Sequence, residues 1–257
     1  MGTNLANTLS IASYNMFGFH NGLSMLYDLC GSHSIIGVQE HWLRGDELIK
    51  LSRVHPDFNF YGASGMHKAL STALLRGRPF GGVGILWHRS LNSFITPIAK
   101  SDDGRCIAVK LSYGGSELLL INVYFPCFNP SVEYREDVSV LCAFIENILM
   151  SNAYRDVIIF GDTYFDLSPN LAGFNILNSM LVCWNIVSCD DLPTSSIDPL
   201  ATNHKGGVIH TYFNQALNSS SRIDHFFVSS HLSDRVSSVS VIDQPALNMS
   251  DHRSISL

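Results

Sequence analysis

The chain has 257 residues, of which 46% are hydrophobic and 15% charged, enough for a substantial core and contrary to a disordered chain. No apolar run approaches the roughly 20 residues that a membrane helix needs, and the opening MGTNLANTLS has neither the basic start nor the apolar centre of a secretion signal. The formal net charge of −6 counts against a tight, autonomous binder of phosphate polymers, so affinity for one must come from local patches or from a metal ion.

Residues 9–14 and 34–38 read as early buried strands, with helical spacing of Leu23, Leu26 and Tyr27 between them over 22–30. The stretch 62–81 is a polar surface loop carrying Arg76 and Arg78. Residues 82–87, 107–113 and 117–124 are further strands. The strongest helix spans 132–150, after Pro130 and Ser131, with Val138, Leu141, Cys142, Ile145, Ile148 and Leu149 on one stripe. Residues 157–160 form a strand broken by Gly161-Asp162, and 190–207 is a second loop. A hairpin is expected over 208–228 with its turn near 218–221, and a last strand within 236–242.

Strands recur too often, and helices too seldom, for strict β-α-β alternation, so two packed sheets with helices outside are expected. No repeat or long linker divides the chain, which reads as one domain over residues 1–257. The six cysteines (Cys30, Cys106, Cys127, Cys142, Cys183, Cys189) lack C-x-x-C spacing. They read as reduced thiols, mostly buried, in a protein inside the cell.

Polar residues recur where strands end: Asn15, Glu40 after Gln39, Tyr124, Asp162, Asp224, and the Ser250-Asp251-His252 tail. Singly, each is an ordinary turn or strand-edge residue. Together they are the set that metal-assisted phosphodiester cleavage requires. Carboxylates hold Mg²⁺, a hard cation that prefers oxygen. Imidazole and amide groups surround a phosphorus that gains negative charge.

The ordered set SYN, QE, NVY, GD, RID and SDH resembles the endonuclease/exonuclease/phosphatase superfamily. More narrowly, VQEHWL, GGVGILW, INVYFP, FGDTYFDL, SRIDHFFVS and SDHR resemble the endonuclease domain of LINE-type (non-LTR) retrotransposon polyproteins, over residues 9–257. The resemblance implies a four-layered α/β sandwich of two mixed β-sheets flanked by helices. It makes Glu40 the principal metal ligand, with Asn15 beside it and Asp251 assisting, for Mg²⁺ or Mn²⁺ in its place. Asp162 would align the attacking water. His252, held by Asp224, would contact the scissile phosphate, and Tyr124 would face the phosphate or the leaving oxygen. Thr211 would touch the DNA backbone; His210, Arg222, Ser250 and His41 complete the expected DNA-contacting set, with His204 and Lys205 in the same region and Trp42 beside the groove. The implied reaction nicks one strand of double-stranded nuclear DNA. The 3′-hydroxyl left behind primes the reverse transcriptase of the same polyprotein. Two details favour this subgroup over repair enzymes. Phe17 stands where those enzymes carry an acid, and the chain stops just after SDHR, as expected of a domain cut from a longer polypeptide.

The pattern departs at Tyr164, where the resemblance expects Asn. An amide donates and accepts hydrogen bonds, whereas a phenol has one donor and a bulky ring. Loss of a transition-state donor costs ~10²–10³ in rate, so activity is expected to be impaired. Two other readings stay open: a nuclease-like module that binds DNA without cutting it, and a phosphodiesterase acting on another phosphoester. A lipid substrate is disfavoured by the lack of an amphipathic membrane segment, and no membrane partner is expected.

Overall fold

The computed structural model describes residues 8–66, 79–129, 131–152, 156–166, 172–192 and 210–257. In chain order the elements are β1 (Ile11–Asn15), α1 (Phe19–Ser32), β2 (Ile35–Gln39), β3 (Phe58–Ala63), β4 (Val83–His88), β5 (Ile95–Lys100), β6 (Cys106–Tyr113) and β7 (Ser116–Tyr124). Then follow α2 (Val132–Asn152), β8 (Asp156–Asp162), α3 (Ala172–Cys183), β9 (Ile186–Ser188), β10 (Tyr212–Asn214), β11 (Ser219–Ser221), β12 (Asp224–Ser229), β13 (Ser240–Ile242) and β14 (Ser254–Ser256). One sheet has the order β13-β14-β1-β2-β4-β3 and the other β5-β6-β7-β8-β12-β9. Each is mixed, because β1–β2 and β7–β8 pair in parallel while their neighbours pair antiparallel. β10 and β11 form a separate hairpin.

Alternating side chains sort each central strand between two apolar layers. Ile11 and Ile35 face the space between the sheets, where they meet Ile85, Val109, Leu120, Ile158, Phe160, Phe226 and Val228. Ala12, Tyr14, Ile36 and Val38 point the other way, onto Met25, Leu26 and Leu29 of α1. On the second sheet Leu119, Ile121, Val157 and Ile159 pack against Val138, Leu141, Ile145 of α2 and Leu177 of α3. The layers therefore run helix, sheet, sheet, helices, as the strand-rich pattern predicts. The sheets approach closely at Gly37: a Cβ there would lie 2.2 Å from the Phe160 ring. A polar bridge crosses the same space. Gln39 Nε2 donates to Ser13 Oγ (3.0 Å) and Asn122 Oδ1 (2.6 Å), and Asn122 Nδ2 donates to the Val38 and Gly84 carbonyls.

Several elements went unseen in the sequence. β9 and β14 are three residues long, and β5 carries Pro97 at a bulge on a sheet edge, where proline is tolerated. α3 has no charged residue to mark a solvent face. β3 and the 3₁₀ segment Gly45–Arg53 were also missed. The expected hairpin is corrected. The turn lies at 215–218, and 224–229 leaves the hairpin to pair with β8 and β9. The cause is burial: all of Asp224–Ser229 is buried and needs a sheet interior, while β11 has none of its residues buried. Arg76, Arg78, Pro130, His204, Lys205 and Val208 lie outside the described residues. All six cysteines are free; Cys127 and Cys183 are exposed. Among the described residues no helix is long and apolar enough to cross a membrane.

Candidate active site

Strand parity delivers the polar residues to one place. Asn15 follows Ile11 and Ser13 on the inter-sheet face of β1, and Asp162 follows Ile158 and Phe160 on that face of β8. Asp224 begins the same face of β12 and stands opposite Asp162 in the antiparallel register. Tyr124 stands opposite Asp162 on the parallel side. Gly161 makes the crowding possible: its φ is 138°, and a Cβ would lie 2.0 Å from the Val123 carbonyl oxygen.

Glu40 follows β2 directly and turns out of the strand at φ 50°. Asn15 joins it to Asp162: the Asn15 Nδ2 donates to Glu40 Oε1 (3.0 Å) and to Asp162 Oδ2 (2.8 Å). Its Oδ1 accepts from the Phe17 N–H at 3.1 Å. Asn15 thus presents donors to the carboxylates and orients them, rather than offering a ligand oxygen. Trp42 Nε1 donates to Glu40 Oε2 (3.2 Å) and the Tyr164 hydroxyl to Glu40 Oε1 (3.3 Å). Tyr164 has φ 56°, a left-handed conformation in which Asn is far more at home than an aromatic residue. Its backbone N–H donates to Asp162 Oδ1 at 2.9 Å.

His252 is buried beside these groups. Its Nδ1 meets Asp224 Oδ2 at 2.9 Å, while Nε2 lies 3.8 Å from Asp162 Oδ2 and 4.0 Å from Asp251 Oδ1. Burial alone would favour the neutral ring, but Asp224 and Asp162 outweigh it and hold the imidazole protonated, up to about 10. Asp162 is pushed up, by burial first and then by Asp224. Asp251 is also raised, chiefly by burial. The loop is secured from outside. Ser250 Oγ donates to the Asn15 carbonyl (2.8 Å) and accepts the His252 N–H (3.1 Å). Tyr14 OH donates to Asn248 Oδ1, and Asn248 Nδ2 donates to the His252 carbonyl.

The donor set suits a hard divalent cation. The ligand atoms of Asp162, Asp224 and His252 lie within 4.8 Å of one another. Among the described residues, the buried Asp224 Oδ1 and Asp251 Oδ1 have no hydrogen-bond partner, a cost that a cation would remove. His252 is engaged at Nδ1 by Asp224 and is held protonated, so neither ring nitrogen has a free lone pair and oxygen atoms are left to hold the ion.

The expected DNA-contacting set fares unevenly. Ser250 borders the site, as described. Thr211 is fully buried, and its Oγ1 accepts from the Ile223 and Asp224 N–H groups, so it braces Asp224 from within. His41 is also corrected: it is fully buried, with Nε2 on the Ala63 carbonyl (3.1 Å) and Nδ1 accepting from Leu43 N, and burial pushes it down to about 4. Arg222 turns inward to an ion pair with Asp190, which also meets His225. His210 is half-buried, and its buried Nδ1 has no partner among the described residues. Sequence reasoning missed the hydrogen bond from Trp42 to Glu40 and the Asp190–Arg222–His225 cluster. The cluster joins Asp190 to residues more than 30 positions away, and the Trp42 bond, though only two positions from Glu40, depends on the left-handed backbone at both residues.

A model of the Endonuclease/Exonuclease/phosphatase family matches residues 12–252, and the chain belongs to that family. Comparison with curated proteins finds no match. The fold is similar to an AP endonuclease from Archaeoglobus fulgidus, with a TM-score of 0.68 and 15% identity over 97% of this chain and 98% of that one. It is similar to the AP endonuclease LMAP from Leishmania major, with a TM-score of 0.70 and 15% identity over 96% and 86%. The endonuclease domain of TRAS1, a telomere-specific non-LTR retrotransposon, aligns with a TM-score of 0.63 and 14% identity over 96% of each chain. At these identities the likeness is one of fold.

Proposed function

We propose that this endonuclease/exonuclease/phosphatase-family chain is the target-DNA nicking domain of a LINE-type retrotransposon polyprotein, and that Tyr164 impairs it. The observation that carries the nuclease reading is the convergence of Asn15, Glu40, Asp162, Asp224 and His252 at the strand ends, with His252 between Asp224 and Asp162. The motifs around Glu40 and Asp162, Phe17 in place of an acid, and the TRAS1 likeness support the retrotransposon assignment.

Each residue has a chemical part. Asp162 accepts a proton from, and aligns, the attacking water. His252, protonated and held by Asp224, donates from Nε2 to a phosphate oxygen as charge builds on it. Asn15 holds Glu40 and Asp162 at a fixed separation. Glu40 and Asp251 would hold a divalent cation, Mg²⁺ or Mn²⁺, whose role is to neutralise charge on the phosphate. The DNA nick would leave the 3′-hydroxyl for the reverse transcriptase of the same polyprotein, acting on nuclear DNA.

A second reading, a module that binds DNA without cutting, is favoured by one contact: the Tyr164 hydroxyl on Glu40. Nicking of supercoiled plasmid with Mg²⁺ separates the two. Under impairment, Tyr164→Asn nicks ~10²–10³-fold faster than the natural chain. Equal rates sink impairment. Turnover of a soluble phosphoester with no plasmid nicking in either protein would move the assignment to another phosphodiesterase.

A further inference from the structure

Both oxygens of Glu40 are engaged. Oε1 accepts from Asn15 Nδ2 at 3.0 Å and from the Tyr164 hydroxyl at 3.3 Å, and Oε2 accepts from Trp42 Nε1 at 3.2 Å. Donors around a poorly solvated carboxylate do part of what a cation does, dispersing its charge. The Asn15 bond also serves Asp162 and belongs to the framework of the site. The Tyr164 bond does not. Its phenol reaches in from the loop after β8 and ends between Glu40 and Tyr124, whose hydroxyl lies 3.4 Å away. The two rings meet edge to face, 5.8 Å apart at 61°. The backbone beneath is tied to Asp162 Oδ1, and a turn of the Tyr164 side-chain torsions clears the space with that bond kept.

We propose that Tyr164 is a latch on the metal site: its hydroxyl caps Glu40 in place of a divalent cation, and the ion binds only when the ring swings away. The proposal rests on reading the chain as a metal-dependent nuclease. It divides the effect of Tyr164 into two parts, a missing amide at the phosphate and a closed ligand at the metal. Tyr164→Phe removes the cap alone, whereas Tyr164→Asn removes the cap and restores the amide.

The test is Mn²⁺ uptake by the full chain, followed by the loss of the free-ion EPR signal, alongside plasmid nicking. Tyr164→Phe and Tyr164→Asn are expected to bind one Mn²⁺ about 10- to 100-fold more tightly than the natural chain, the effect of losing a hydrogen bond to a charged group. Glu40→Gln placed on Tyr164→Asn should abolish that gain. Nicking should recover in Tyr164→Asn and stay low in Tyr164→Phe. Equal affinities in all three proteins that still depend on Glu40 would overturn the latch and leave the metal-dependent reading standing. Tighter binding in Tyr164→Asn alone would overturn the part given to the hydroxyl. No Mn²⁺ uptake by any folded variant would overturn the latch and the metal-dependent reading together.

Discussion

His252 sits among three carboxylates, and its protonation couples the site to stability. The ring is held protonated up to about 10, against an ordinary value near 6.5. A raised histidine contributes stability that is full below about 6.5 and is lost as pH rises through about 10. Asp162 has the same sign, because a buried carboxyl pushed up resists ionisation. The metal-free protein should therefore lose stability between pH 7 and 10. Urea midpoints at the two pH values measure the loss, which should shrink in His252→Gln. If the midpoint of the natural chain stays constant over that range, the coupling is absent. Catalysis depends on the same ring. On a Tyr164→Asn background, His252→Ala should lower the nicking rate by ~10²–10³, as expected for removal of a transition-state donor.

The elements matter because the site is made of strand ends. Asn15, Asp162 and Asp224 are placed by the alternation that buries Ile11, Phe160 and Phe226 between the sheets. A change in register by one residue would turn each polar group onto the helix-facing side. Gly161 sets the last step before Asp162, and Gly161→Ala should cost about 2–4 kcal/mol through its clash with Val123 and its positive φ. Phe160→Ala, which empties a fully buried site between the sheets, should cost about 3–5 kcal/mol. Equilibrium unfolding in urea reads both. A Gly161→Ala protein as stable as the natural one would mean that β8 does not need the close approach to Val123.

On the scale of the whole molecule, charge limits how DNA is held. The net charge is −6, and Arg222, one of the expected phosphate contacts, is turned to Asp190. Binding should therefore be weak, with Kd of about 10⁻⁶ M or above for DNA of arbitrary sequence at physiological salt. The salt dependence should be shallow, with a log–log slope smaller in magnitude than about 4, since few phosphates are neutralised. Fluorescence anisotropy across a salt series measures both. A steep slope would overturn this expectation.

The sequence by itself determined the layered class, the central strands and the residues at their ends. Period-two alternation and the breaks at Gly161-Asp162 and Gln39-Glu40 are local signals, legible wherever one face of a strand must be buried. It also marked Tyr164 as the departure. Only the tertiary structure decided what those residues touch. The resemblance implies Thr211 at the DNA backbone, and the place of His41 beside Glu40 puts it at the groove, yet both are buried and hydrogen-bonded to backbone of other segments. Asn15 read as a ligand, and its bond to Asp162, 147 positions away, makes it a brace. The contact of Tyr164 with Glu40 spans 124 positions. Such pairings are set by how the two sheets stack, a long-range packing choice that no local pattern of residue types encodes.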